Sequence, residues 1–268
     1  MTPSGHGLLS VSRVRGRSVA TRARADSPLR LLLPDNRGDA LWAYTTSYGG
    51  GLVDGDALSL HAHVGPDASL MLATQASTKV FRGPRGSSQR TELRLDDGAL
   101  AVLLPDPVVC FAGASYSQRI DVDLAPGASL VLLDASTQAV SPAGSASTSP
   151  ATPAASTCAA TTASRSPTGC SSTPRTAPLD ARLGGFDALA TLVLLGERVA
   201  PFAAALLDRV GRTSPGAHPG RIESASPLDG GTLVRIAAST AAAALDAARS
   251  HLSFVAELIG DDPFTRRW

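Results

Sequence analysis

The stretch GPDASLML, residues 65–72, returns as DDGALAVLL at 96–104 and as APGASLVLL at 125–133. Each copy opens on a turn of Gly, Pro or Asp and runs into an apolar segment, and each follows an alternating one: LSLHAHV, TELRL and RIDVDL. Leu70, Leu100 and Leu130 fall 30 residues apart each time. The unit is strand, turn, strand, three times over. Such a unit exposes an apolar face that only its neighbour can cover, so a regular period of this length predicts stacking. The expected fold is mainly β, a β-helix-like stack or a sandwich over residues 8–134.

Further along, FDALATLVLLGERVAPFAAALLDRVG (186–211) and TAAAALDAARSHLSFVAELIG (240–260) show apolar residues three to four apart, which predicts two C-terminal helices. Ser239 stands where an N-cap belongs. Between them GGTLVRIAA (230–238) reads as another strand. From Ser141 to Pro178 the chain uses only Ser, Pro, Thr, Ala, Gly, Cys and Arg. A packed core cannot be built from that set. One reading is a disordered linker. The other is a compensated frameshift, because codons with C or G at the second position encode these residues, and this reading is preferred. The division is a β-rich stack at 1–134, a low-complexity segment at 135–178 and a helical and β part of the same domain at 179–268.

The 268 residues carry 24 basic and 23 acidic side chains, a formal charge of +1, with 43% hydrophobic residues. No global field draws such a chain to nucleic acid or an anionic membrane. No apolar run approaches the roughly 20 residues that span a bilayer. Cys110, Cys158 and Cys170 are odd in number and lack metal-type spacing, which suits a reducing cytoplasm.

Three motifs hold candidate chemistry. SYGGGLVDGD (47–56) places Gly49, Gly50 and Gly51 before Asp54 and Asp56. It lacks the Lys-Ser/Thr pair of a phosphate loop and the alternating oxygens of a calcium loop, so a turn with close backbone approach is its plain reading. TQASTKVFR (74–82) puts Gln75, Ser77, Thr78 and Lys79 after an apolar strand, where they line a groove or form a solvated loop. LLPDPVVCFAGASYSQ (103–118) fixes Asp106 between two prolines, which stiffen the backbone around its carboxylate. His61 and His63 share one strand face, which solvent-facing alternation explains. His218 and His251 are isolated.

SYGGGLVDGD, ATQASTKVFR, LPDPVVCFAGASYSQ and the closing ASPLDGGTLVR and FTRRW together resemble the UreD (also called UreH) family of urease accessory proteins, over about 8–134 and 179–268. The resemblance implies a non-enzymatic scaffold, a right-handed β stack with C-terminal helices. It implies binding to apo-urease and to the UreF and UreG accessory proteins, with transient nickel passing through the interior and no stably bound cofactor. In that light Gly49, Gly50 and Gly51 let the backbone run beside a passage, Gln75, Ser77, Thr78, Lys79 and Asp106 line it, and Asp54 and Asp56 offer weak oxygen ligands. Family members continue residues 135–178 as further strands, and the departure here supports the frameshift reading. The apolar faces of the C-terminal helices, with Leu194, Leu207 and Val210, are expected to meet UreF. A competing expectation is a β-helix carbohydrate-active enzyme with Asp54, Asp56 and Asp106 as acid and base carboxylates.

Overall fold

The structure, a computed structural model, describes residues 4–35, 38–111, 113–138, 162–164, 186–214 and 217–265. Strands β1 (Ser4–Val14) and β2 (Arg17–Ala25) form a hairpin, followed by β3 (Leu29–Leu32) and β4 (Leu41–Ser47). Two full coils come next: β5 (Ala57–Val64), β6 (Ser69–Thr74) and β7 (Thr78–Val80), then β8 (Ser87–Leu95), β9 (Leu100–Leu104) and β10 (Val108–Cys110). In the third, β11 (Tyr116–Leu124) leads to β12 (Ser129–Gln138), whose far end takes the place of a separate short strand.

Stacking is parallel on all three faces of the coil. One sheet joins β1, β5, β8 and β11; a second joins β4, β6, β9 and β12; the short third face joins β7, β10 and residues Ser136 to Gln138 of β12. The expected β-helix-like stack is present. The register refines the period. Leu70 and Leu130 both pair with Ala101, not Leu100, so successive coils are 31 and then 29 residues long. One residue of slip turns a strand side chain to the opposite face. Leu70 and Leu130 therefore point into the coil with Leu9, Leu93 and Ile120, whereas Leu100 points out of it toward Trp42 and Met71.

The second sheet is buried on both sides, which is why β6 and β9 read as nearly continuous apolar runs. Its outer face is covered by α1 (Ala200–Arg212), α2 (Ala241–His251) and the short α3 (Val255–Ile259). Three antiparallel strands widen the same sheet beyond β12, in the order β14 (Ala188–Leu195), β16 (Gly231–Ala238) and β15 (Arg221–Leu228). Phe202 of α1 and Phe254, before α3, stack with ring centroids 4.2 Å apart.

Two helical expectations change. Residues 188–195 of the expected first helix form β14, because a short run that is apolar except for Thr191 suits a sheet strand as well as a helix turn, and period alone does not separate them. The cap of α2 is Thr240, not Ser239: its Oγ1 accepts from Ala243 N at 3.1 Å. In the segment 135–178, β12 runs on to Gln138 and Thr162–Ser164 forms β13, paired with β11. The expected low-complexity insert otherwise lies outside the described residues.

Candidate functional site

Inside the coil, side chains alternate in and out along each strand, and at the turn end every inward position is apolar. Val64, Leu95 and Leu124 stack there, as do Leu70, Ala101 and Leu130. Toward the third face the same inward positions become polar. Gln89 and Gln118 are register partners in the first sheet, and Thr45 and Thr74 are partners in the second. Asp134 follows Leu130 and Leu132 on the inward face of β12.

Thr45 is buried and the others are half-buried, and polar groups so placed favour partners, since a fully buried unmatched one costs about 1–3 kcal/mol. They have them. Gln118 Nε2 donates to Asp134 Oδ1 at 3.0 Å. The Tyr116 hydroxyl lies 2.9 Å from Gln118 Oε1 and 3.2 Å from Gln89 Oε1, both acceptors for its hydrogen. Asp106 N donates to Thr74 Oγ1 at 2.7 Å, which ties the proline-flanked turn to the end of β6.

Three adjoining cavities follow this polar column. The first, about 90 Å³, opens beside Gly50 and Gly51 and reaches Thr45, Thr78 and Gln89. The second, about 40 Å³, lies in the coil between Gln89, Thr91, Gln118 and Asp134. The third, about 300 Å³, lies across the second sheet beneath Leu245 and Arg249 of α2 and the C-terminal Pro263 and Phe264. Thr74 lines all three, and Asp106 lines the second and third.

The structure sorts the sequence candidates. Gly50, Gly51, Gln75, Ser77, Thr78 and Asp106 line these cavities. Gly51 has a packing reason to be glycine: a Cβ there would lie 2.6 Å from Lys79 O and 2.8 Å from the Phe81 ring. Gly49 and Lys79 are exposed and line none of the three.

Asp54 and Asp56 both take part in turns. The Asp54 carboxylate accepts from Arg85 N at 2.7 Å, Arg85 Nε at 3.0 Å and Gly86 N at 3.0 Å, pinning two loops together. Desolvation raises its pKa, but the Arg85 bonds and charge and the Gly86 N–H outweigh it, so the carboxyl titrates below its ordinary value. Asp56 Oδ2 accepts from Val53 N at 2.8 Å within its own turn.

Leu194 and Val210 are core residues, 0% and 4% exposed, because the faces that bear them pack on the second sheet and its helices. Only Leu207 of that trio is partly exposed, beside Ala203 and Ala204 in a surface cleft. His61 and His63 do face solvent, each 2.7 Å from a carboxylate, Glu92 and Asp96. His251 is not isolated. Arg209 Nη2 lies 2.7 Å from its Nδ1, and arginine only donates, so Nδ1 accepts and Nε2–H donates to Glu223 Oε2 at 2.7 Å. Burial lowers the His251 pKa and Arg209 and Arg221 add to this, while Glu223 works in the opposite direction.

Sequence reading missed Thr45, Gln89, Thr91, Gln118 and Asp134. The signal was present as polar residues on the apolar parity of a strand, with Thr91, Gln118 and Asp134 two positions from Leu or Ile.

Residues 4–268 match the model of the UreD urease accessory protein. The chain belongs to that family. It is 46% identical over 272 residues to the urease accessory protein UreD of Sorangium cellulosum, an alignment covering 99% of this chain and 85% of the relative. The UreD of Anaeromyxobacter sp. is 38% identical over 278 residues, covering 98% and 89%. Urease accessory protein D of Oryza sativa subsp. indica is 41% identical over 134 residues, or 48% of this chain and 44% of the plant protein. As a UreD family member the chain has a role in urease maturation.

Proposed function

We propose that this chain is a non-enzymatic scaffold that binds apo-urease, UreF and UreG and passes nickel along the polar half of its coil. The observation that carries this reading is the set of three cavities that share Thr74 in their walls. Nickel is cargo here, not a resident cofactor. The residues present fit a cargo role. Divalent nickel is held most firmly by nitrogen and sulfur donors. The cavities offer hydroxyls from Thr45, Thr74 and Thr78, amides from Gln89 and Gln118, and carboxylates from Asp134 and Asp106. Among the described residues no group of three or more His, Cys, Asp or Glu is placed to hold a metal ion. Single oxygen donors in succession bind a divalent cation weakly enough to release it, and the surrounding apolar wall keeps the route defined.

The test is Thr74→Leu in the full chain, co-expressed with a urease operon that lacks its own UreD gene. A leucine at the meeting point fills the passage without charge. Urease activity should fall at least tenfold while UreF, UreG and apo-urease still co-purify. Undiminished activity with a normal complex would refute the passage.

A further inference from the structure

The third cavity has the outer face of the second sheet on one side, at Met71, Leu104 and Leu133, and α2 with the C-terminal turn on the other. Leu245 and Arg249 are four residues apart, so they share the face of α2 that lines it. Pro263 and Phe264 complete the wall. Their turn is fixed by Asp262, whose Oδ1 accepts from Phe264 N at 2.8 Å. The volume, about 300 Å³, stands at the lower end of the roughly 300–1,000 Å³ of small-molecule sites, and an apolar wall with a few polar groups is the usual lining of such sites.

Arg249 sets this cavity apart. Other arginines of the helices and β15 are engaged: Arg212 with Asp208 at 2.8 Å, Arg221 with Glu223 at 2.7 Å and Arg209 with His251 at 2.7 Å. The Arg249 guanidinium instead lies 6.0 Å from the centre of the Phe264 ring, and no carboxylate among the described residues forms an ion pair with it. Beside an aromatic ring it keeps its planar fork of donors, which matches a carboxylate through two parallel hydrogen bonds. Neutral groups of the same lining also donate. Thr74 Oγ1 already accepts from Asp106 N, which leaves its own hydrogen to give, and Gln75 and Ser77 are exposed. The acid in the described lining is Asp106, and it repels a second negative charge. This combination suits a single carboxylate on a small apolar body.

We propose that the third cavity binds a small organic monocarboxylate, its oxygens on the Arg249 guanidinium and its apolar body against Met71, Leu133 and Leu245. The site goes beyond the nickel reading and stands without it. For a cation in the passage, a carboxylate held there would neutralise the guanidinium and lend an oxygen donor.

The experiment titrates the purified full chain, free of nickel, with hexanoate by calorimetry. Hexanamide serves as the uncharged match and adipate as the dianion of the same length. Hexanoate should bind best, and Arg249→Gln should weaken it by about tenfold or more through loss of the charge-assisted pair. Arg249→Lys keeps the charge without the fork and should fall between the two. Leu245→Trp leaves Arg249 in place and fills the cavity, so it should abolish binding and keeps the test informative if Arg249→Gln misfolds. No binding of hexanoate to the wild type overturns the proposal, as does equal binding of hexanamide or adipate, or unchanged affinity in either folded variant. The nickel reading is decided separately, by urease activation in Thr74→Leu.

Discussion

The two halves of the coil interior are built by the same strands and behave as different materials. At the turn end, Leu93, Leu95, Leu130 and Leu132 are 0–3% exposed. A few residues away on the same inward faces stand Gln89, Gln118, Asp134 and Thr74, hydrogen-bonded to one another or to the backbone. Fully burying a leucine contributes roughly 1.5–3 kcal/mol, while a buried amide or carboxylate does little better than break even when well matched. The apolar half therefore supplies the stability that lets the polar half hold oxygen atoms around open space.

The largest effect expected from breaking this contrast is in the apolar half. Leu132→Ala should cost about 2–5 kcal/mol in chemical denaturation, because close-packed coils above and below cannot collapse into the gap. If Leu132→Ala proved as mild as a surface change, the stabilising role of that half would be wrong. In the polar half, Asp134→Ala leaves the half-buried Gln118 amide without its acceptor and should cost about 1 kcal/mol. Urease activation should drop further than this loss of folded protein explains, and Asp134→Asn should restore stability more than activation. Equal recovery of both would make Asp134 a structural residue only.

A smaller, pH-dependent effect lies outside the coil, where His251 ties α2 to α1 and β15. Its folded pKa is below the ordinary 6.5, chiefly through burial. As pH falls through 6.5 the unfolded chain takes up a proton that the folded chain refuses, so stability present above that value is lost toward the folded pKa and levels off beneath it. Protonation would also place a hydrogen on Nδ1 facing Arg209. Denaturation midpoints between pH 7 and 5 should fall for the wild type and change less for His251→Gln; parallel curves would dismiss the network as a sensor. The smallest effect belongs to Asp56→Ala, which removes one turn bond and should cost about 1 kcal/mol with activation intact. Lost activation in a stable Asp56→Ala chain would return that carboxylate to the passage.

The sequence by itself determined the stack. Turn residues recurring about every 30 positions, followed by apolar runs, leave few folds besides coils that cover one another's faces. It also determined the family, since the glycine run, the TQASTK segment and the proline-flanked aspartate come in order. Tertiary structure alone decided which residues meet. Coils of 31 and 29 residues, in place of a uniform 30, set which leucines face inward, because the pleat reverses with each residue. The cavities are lined from β4, β6, β8, β11 and β12, far apart in the chain, so Gln89, Gln118 and Asp134 looked like ordinary polar residues on alternating strands. Asp54 and Asp56 read as turn residues from the sequence and as ligands only through the family resemblance. The positions of Arg85 and the Val53 amide show which turns they hold. β14 passed for a helix because its run, apolar except for Thr191, fits either form, and the neighbours on both sides of the sheet decide which it takes.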